Sequence, residues 1–249
     1  MDKRLILIAA FFCFVIFSFA QENVTTLGIQ FKPTVPSRLF GTGAVSAENN
    51  QLSVINDPEF GMNLGMIVRR GITKNWSFET GITFIQRNYK LSFFHPLLTE
   101  DVYINYRFIG YEIPVQGLIY VRLGERLYMN ASGGMSLDIY PTDVEGFADT
   151  RRDTLRFDFV LQTLRRNWMQ VSLLANYGFE YRTKESGYLY FGASFHRPFS
   201  EIATGQARME LNTFPTRVSF DLSGSYLTFD FRYFFHEDPE RKRAKSKKK

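Results

Sequence analysis

The chain has three histidines, one cysteine and a recurring set of carboxylates and guanidinium groups, and its chemistry has to come from these. Ser194 and His196 stand two residues apart, so on a strand they share a face. A serine beside an imidazole is the beginning of an activated nucleophile. Spacing identifies no acid to orient that imidazole, and packing of an interior is the stronger reading for both residues. His95 and His236 lack metal-ligand spacing, and Gly41-x-Gly43 opens no helix, so it is not a phosphate loop. Cys13 lies inside an apolar N-terminal run, which leaves no disulfide, thiol nucleophile or zinc–cysteine site after it. Catalytic residues, cofactor and metal are therefore expected to be absent.

The other candidates are Glu79, Glu112, Gln116, Asp138, Glu180, Arg182, Asp230 and Arg232, joined by Arg69. Each falls on the polar side of an alternating segment. Enclosed together they would form an ion-pair network, and removing one partner from such a network is costly. A proton or ion path is the alternative use of the same residues.

The elements that position them are visible in residues 111–140, YEIPVQGLIYVRLGERLYMNASGGMSLDIY. Tyr111, Ile113, Val115, Ile119 and Val121 alternate with Glu112, Gln116 and Arg122, and after Gly124-Glu125 the alternation resumes. Period two means β-strand, and the short glycine-containing link makes a hairpin. The pattern recurs to give eight strands: 25–33, 59–70, 76 to about 90, 102–122, 127–140, 167–182, 188–200 and a last one ending at Phe235. The last strand changes phase near Gly224-Ser225, which predicts a bulge.

Periodicity alone does not say which face meets water. A soluble barrel is apolar inside; a membrane barrel is apolar outside. The links decide between them. Those at 71–75, 123–125 and 183–186 are tight, whereas 34–58, 92–101, 141–166 and 201–215 are long, and the two kinds alternate. Outer-membrane barrels have this asymmetry, with short periplasmic turns and longer extracellular loops. Trp76, Tyr181, Tyr233 and Phe235 stand near the turn ends, where an aromatic girdle belongs.

The ends of the chain agree with export. Lys3 and Arg4 precede an apolar run from Leu5 to Phe17 and then Ser18-Phe19-Ala20, the pattern of a secretory signal peptide over 1–20. Mean hydropathy is only −0.18, as expected if a polar inner face dilutes an apolar outer one. The formal charge of +5 lies at the ends: HEDPERKRAKSKKK holds seven Lys/Arg against three Asp/Glu, residues 2–4 add one more positive charge, and 21–235 is neutral. A basic tail without a basic face argues against nucleic-acid binding.

YEIPVQGLIYVRLG and the closing GSYLTFDFRYFF resemble the PorT-type outer-membrane β-barrel proteins of Bacteroidetes, a likeness that covers nearly all of the chain after residue 20. The resemblance implies an eight-stranded antiparallel barrel in the outer membrane, and some members of that family serve type IX secretion or gliding machinery. The expected organisation is a signal peptide (1–20), a barrel (21–235) and a basic periplasmic tail (236–249). The barrel is expected to be monomeric, non-enzymatic and surrounded by outer-membrane lipid, with both termini in the periplasm. A structural or accessory role in the envelope is the leading function. A ligand-binding or adhesion barrel acting through loops 34–58 and 141–166 is second, and a hydrolase centred on Ser194 is third. Arg151, Arg152, Arg165 and Arg166 in a long loop, and Arg241, Lys242 and Arg243 in the tail, are the candidate contacts for periplasmic or outer-membrane protein partners.

Overall fold

The computed structural model describes residues 24–49, 52–73, 75–98, 100–152, 155–183, 186–211 and 214–235. The signal-peptide reading, the basic tail, Cys13 and His236 lie outside them. The described residues form thirteen strands: β1 (Thr25–Val35), β2 (Val45–Asn49), β3 (Leu52–Gly71), β4 (Trp76–Phe94), β5 (Val102–Arg122), β6 (Leu127–Ile139), β7 (Val144–Arg152), β8 (Leu155–Arg165), β9 (Met169–Arg182), β10 (Tyr188–Pro198), β11 (Ala203–Leu211), β12 (Phe214–Leu222) and β13 (Tyr226–Phe234). Among the described residues no helix is long and apolar enough to cross a membrane, which says nothing of strands.

Eight strands close a barrel in the antiparallel order β1-β13-β10-β9-β6-β5-β4-β3, with β3 pairing back onto β1 from Thr25↔Arg70 to Thr34↔Gly61. Closure leaves no unpaired edge, which hydrocarbon would not tolerate. At one end the links are tight. The Ile72 amide donates to the Trp76 carbonyl at 2.9 Å, Leu123 to Leu127 at 2.9 Å and Thr183 to Gly187 at 3.0 Å.

At the other end the wall continues. The expected long loops are largely strands. β3, β4 and β5 run on without interruption, and β7, β8, β11 and β12 form a second sheet in the order β12-β11-β8-β7. Each strand of that sheet stands above one barrel strand (β7 over β6, β8 over β9, β11 over β10, β12 over β13), joined through the short links 140–143, 166–168, 199–202 and 223–225. β2 continues β1 in the same way and meets β12, where the Asn49 side chain donates to the Arg217 carbonyl at 2.9 Å. β7 lies against β5 at Gly146, where a Cβ would come within 2.5 Å of Ile104. Only glycine permits that approach. The result is an extension of eight strands stacked on the barrel.

The expected bulge near Gly224 is instead a complete break. The chain leaves β12, passes Gly224 at a φ of +67° and re-enters the barrel as β13, so one expected strand is two. A register shift does occur elsewhere, between Glu59 and Met62 where β3 leaves the barrel for the extension. Pro141 and Pro198 stand at or beside two other breaks, where a missing amide costs no ladder bond.

The same inward face changes character with height. Along β4 it carries Ser77, Glu79 and Thr83 in the barrel, then Tyr89, Leu91 and Phe93 in the extension. Along β5 it carries Val102, Ile104, Tyr106 and Phe108 in the extension, then Glu112 and Gln116. The extension therefore has an ordinary apolar core, with Phe157, Phe159, Leu161, Met209 and Phe220 from the second sheet packed on Leu52, Leu91 and Phe93. In the barrel the pattern is reversed: Ile29, Phe31, Met66, Ile82, Val115, Phe191 and Phe231 point outward and are exposed. Trp76, Tyr181 and Phe235 ring the turn end, and the exposed Phe40, Phe60, Trp168 and Phe199 ring the junction with the extension.

An apolar band between two aromatic girdles is the surface that hydrocarbon covers. Phe231→Arg, placed in that band beside Phe31 and Phe191, is expected to cost about 2–4 kcal/mol if it faces mid-bilayer. A urea titration of the folded fraction in liposomes checks this.

Candidate functional site

The barrel interior is filled by side chains from all eight strands, in two polar tiers. The tier nearer the tight turns is built around Arg69 on β3. Its Nε donates to Glu79 Oε1 at 2.6 Å, its Nη1 also donates to Glu180, and its guanidinium lies 3.8 Å from the centre of the Phe234 ring. Glu79 on β4 also receives Arg232 Nη1 at 2.9 Å, and Arg232 Nη2 reaches Asp230 at 2.7 Å. Arg182 donates to Glu180 at 2.6 Å and stacks 4.1 Å from the centre of the Tyr128 ring at the rim. Asp230 further accepts from Ser194 Oγ at 2.6 Å, Asn176 at 3.0 Å and Thr228 at 2.6 Å, with Lys32 Nζ at 3.9 Å. Opposite walls are thus tied across the lumen.

Buried charges are tolerated only when paired and hydrogen-bonded, and strand periodicity supplies the pairing. Arg69 and Glu79 face each other directly in the β3–β4 register. Gln116 joins the same interior through Ser132 Oγ at 2.8 Å.

The upper tier lies beneath the apolar core of the extension. Glu112 and Asp138 are directly opposed across β5 and β6, and His196 on β10 completes a buried group of three whose ligand-type atoms lie within 4.8 Å of one another. His196 Nε2 is 2.9 Å from Asp138 Oδ2 and 3.5 Å from Glu112 Oε2. Asp138 also accepts from Ser136 Oγ at 2.8 Å and from Ser172. Arg87 closes this tier from β4, donating to the Gly224 carbonyl at 2.8 Å and lying 4.5 Å from the centre of the Tyr226 ring.

All eight expected interior residues, Glu79, Glu112, Gln116, Asp138, Glu180, Arg182, Asp230 and Arg232, therefore point inward, in two groups rather than one. Sequence reasoning missed Lys32 and Arg87. Lys32 stands opposite the Leu27-Ile29-Phe31 face, and Arg87 lies on the polar side of its strand; alternation alone could have found both. It also missed the acids beside Ser194 and His196. The acids differ: Ser194 donates to Asp230, whereas His196 lies on Asp138 and Glu112. The described residues show no Ser194–His196 hydrogen bond, so the geometry does not assemble a nucleophile and base.

Of the arginines expected to meet partners, two are engaged within the molecule. Arg165 donates to the Tyr140 carbonyl at 2.8 Å and to that of Pro141, and Arg166 pairs with Glu201 at 2.5 Å and Asp221 at 3.4 Å. They fasten the junction between barrel and extension. Arg151 is exposed, opposite Arg156 in the β7–β8 register. Arg152 ends β7, and Arg241, Lys242 and Arg243 lie outside the described residues. His95 stands at the far end, its Nδ1 accepting from the Leu97 amide at 3.2 Å.

A closed barrel of eight strands with an apolar belt outside and a filled, charged interior defines an outer-membrane β-barrel protein. The chain belongs to the outer membrane protein beta-barrel domain family, whose model matches residues 19–204, and its place is the outer membrane. The solved structures similar to it include the crystal structure of the outer membrane protein OprG from Pseudomonas aeruginosa, at 14% identity and a TM-score of 0.49, with 88% of this chain and 99% of that one covered. No curated protein matches the chain.

Proposed function

We propose that this protein is a non-enzymatic, structural or accessory component of the cell envelope, of the kind that some PorT-type barrels of Bacteroidetes contribute to type IX secretion or gliding machinery. The observation that carries this reading is the filled lumen. Arg69 bridges β3 to Glu180 on β9, and Arg232 bridges β13 to Glu79 on β4. A barrel tied across its bore acts through its ends. The tight turns and both termini face the periplasm, and the extension stands outside the cell, following the asymmetry usual for such barrels. The periplasmic end offers the basic tail, including Arg241, Lys242 and Arg243, to an acidic protein partner.

The test is gentle extraction of the full-length protein and of a form lacking 236–249, with partners identified after crosslinking. An accessory component is expected to bring down envelope proteins that the truncated form loses. Retention of every partner without the tail overturns the periplasmic docking role.

One observation favours the adhesion reading as second. The extension has its own core, and Phe147 on its outer face is 71% exposed, beside Val160 in the β7–β8 register. An adhesin tolerates loss of the tail and loses surface binding with Phe147→Asp.

A further inference from the structure

We propose that Glu112, Asp138 and His196 form a binding site for a divalent transition-metal cation of the zinc class, enclosed where the barrel meets its extension. The three residues come from β5, β6 and β10, so their backbones are fixed by the barrel wall. One imidazole and two carboxylates are donors that suit zinc and its neighbours in the first transition row. Metal–ligand bonds of about 2.0–2.2 Å in tetrahedral array place donor atoms about 3.3 Å apart. The His196 nitrogen lies 2.9 Å and 3.5 Å from its two carboxylate oxygens. All three donor atoms lie within 4.8 Å of one another.

The second observation is the unmet bonding of the site. Glu112 and His196 are each about 1% exposed, yet Glu112 Oε1, His196 Nδ1 and His196 Nε2 have no hydrogen-bond partner. The Nε2–Asp138 contact is close in distance but outside hydrogen-bond geometry.

Around the three, Ser136 and Ser172 hold Asp138, Tyr226 OH donates to Glu112 at 3.3 Å, and the imidazole stacks 4.5 Å from the Tyr226 ring. Ligands supported in this way are a regular feature of metal sites.

The test uses the full chain, refolded in the presence of cobalt(II) so that burial of the site does not block loading, then washed. Folding is checked by the shift between boiled and unboiled samples on a gel. The expected result is one cobalt retained per folded chain, with visible absorption of a low-symmetry site, competed away by zinc. His196→Gln is expected to abolish retention, and Ser136→Ala to weaken it by about 10–100-fold while folding normally. A folded parent that retains no cobalt overturns the proposal, as does cobalt that His196→Gln leaves in place. If His196→Gln does not fold, unchanged affinity in Ser136→Ala overturns it equally.

Discussion

Barrels carrying Glu79→Ala are expected to unfold at much lower urea than the parent, with a loss of about 3–5 kcal/mol, the cost of breaking a buried ion pair from one side. Glu79 is fully buried and receives both Arg69 and Arg232. Its removal leaves Arg69 only Glu180, and Arg232 only Asp230, inside a wall that water does not reach. The two arginines would also face each other without the intervening negative charge. Glu79→Gln separates charge from shape, because the amide keeps the volume and one acceptor. It is expected to recover part of the loss and not all of it. Urea titration of the folded fraction for the three forms measures both numbers. Equal stability of Ala and parent would mean the network is slack.

Phe159→Ala is expected to be as large in energy and different in place. The ring is buried, packs 4.8 Å from Phe93 and links the second sheet to the continuous strand β4. Truncating a buried phenylalanine costs about 3–5 kcal/mol. The extension rests on one modest core, so that loss falls on the extension, while the barrel below keeps its full hydrogen-bonded closure. The expected result is protease cleavage within 141–168 and 199–222 in a protein that still migrates as a folded barrel when unboiled. A single cooperative loss of both parts would show that barrel and extension do not unfold independently.

The barrel was legible because its strands obey one rule for long enough. Lipid outside and charge inside give the clean alternation of 111–122, and the tight turns punctuate it. The extension obeys the opposite rule. In LRFDFVLQTL the alternating Phe157, Phe159 and Leu161 point inward to an apolar core, yet the neighbouring arginines and aspartates read as a mixed-charge loop. The change of rule occurs within β4 and β5, where the phase never shifts and only the character of the inward residues does. Periodicity records phase and not environment, so along β4 and β5 the junction left no mark.

The site was legible by face and not by grouping. Alternation placed Glu112, Asp138 and Glu180 inward, but their heights depend on the stagger of strands around the barrel. That stagger sets His196 beside Asp138 and Ser194 beside Asp230, although the two residues are near neighbours in the chain.

β5 has 21 residues, about twice the 9–11 that a tilted strand needs to cross a bilayer, and β3 and β4 are nearly as long. At about 3.4 Å per residue each spans about 65–70 Å, with one register shift in β3 between Glu59 and Met62. These three strands are neighbours, so one side of the molecule is a continuous beam, while the other side is interrupted at the four short links and at 36–44 between β1 and β2. A sideways load on the tip of the extension is therefore carried as shear along paired strands on the beam side, and yielding is confined to the links opposite. The protein is a mast stepped through the membrane, and what pushes on its top tilts its foot.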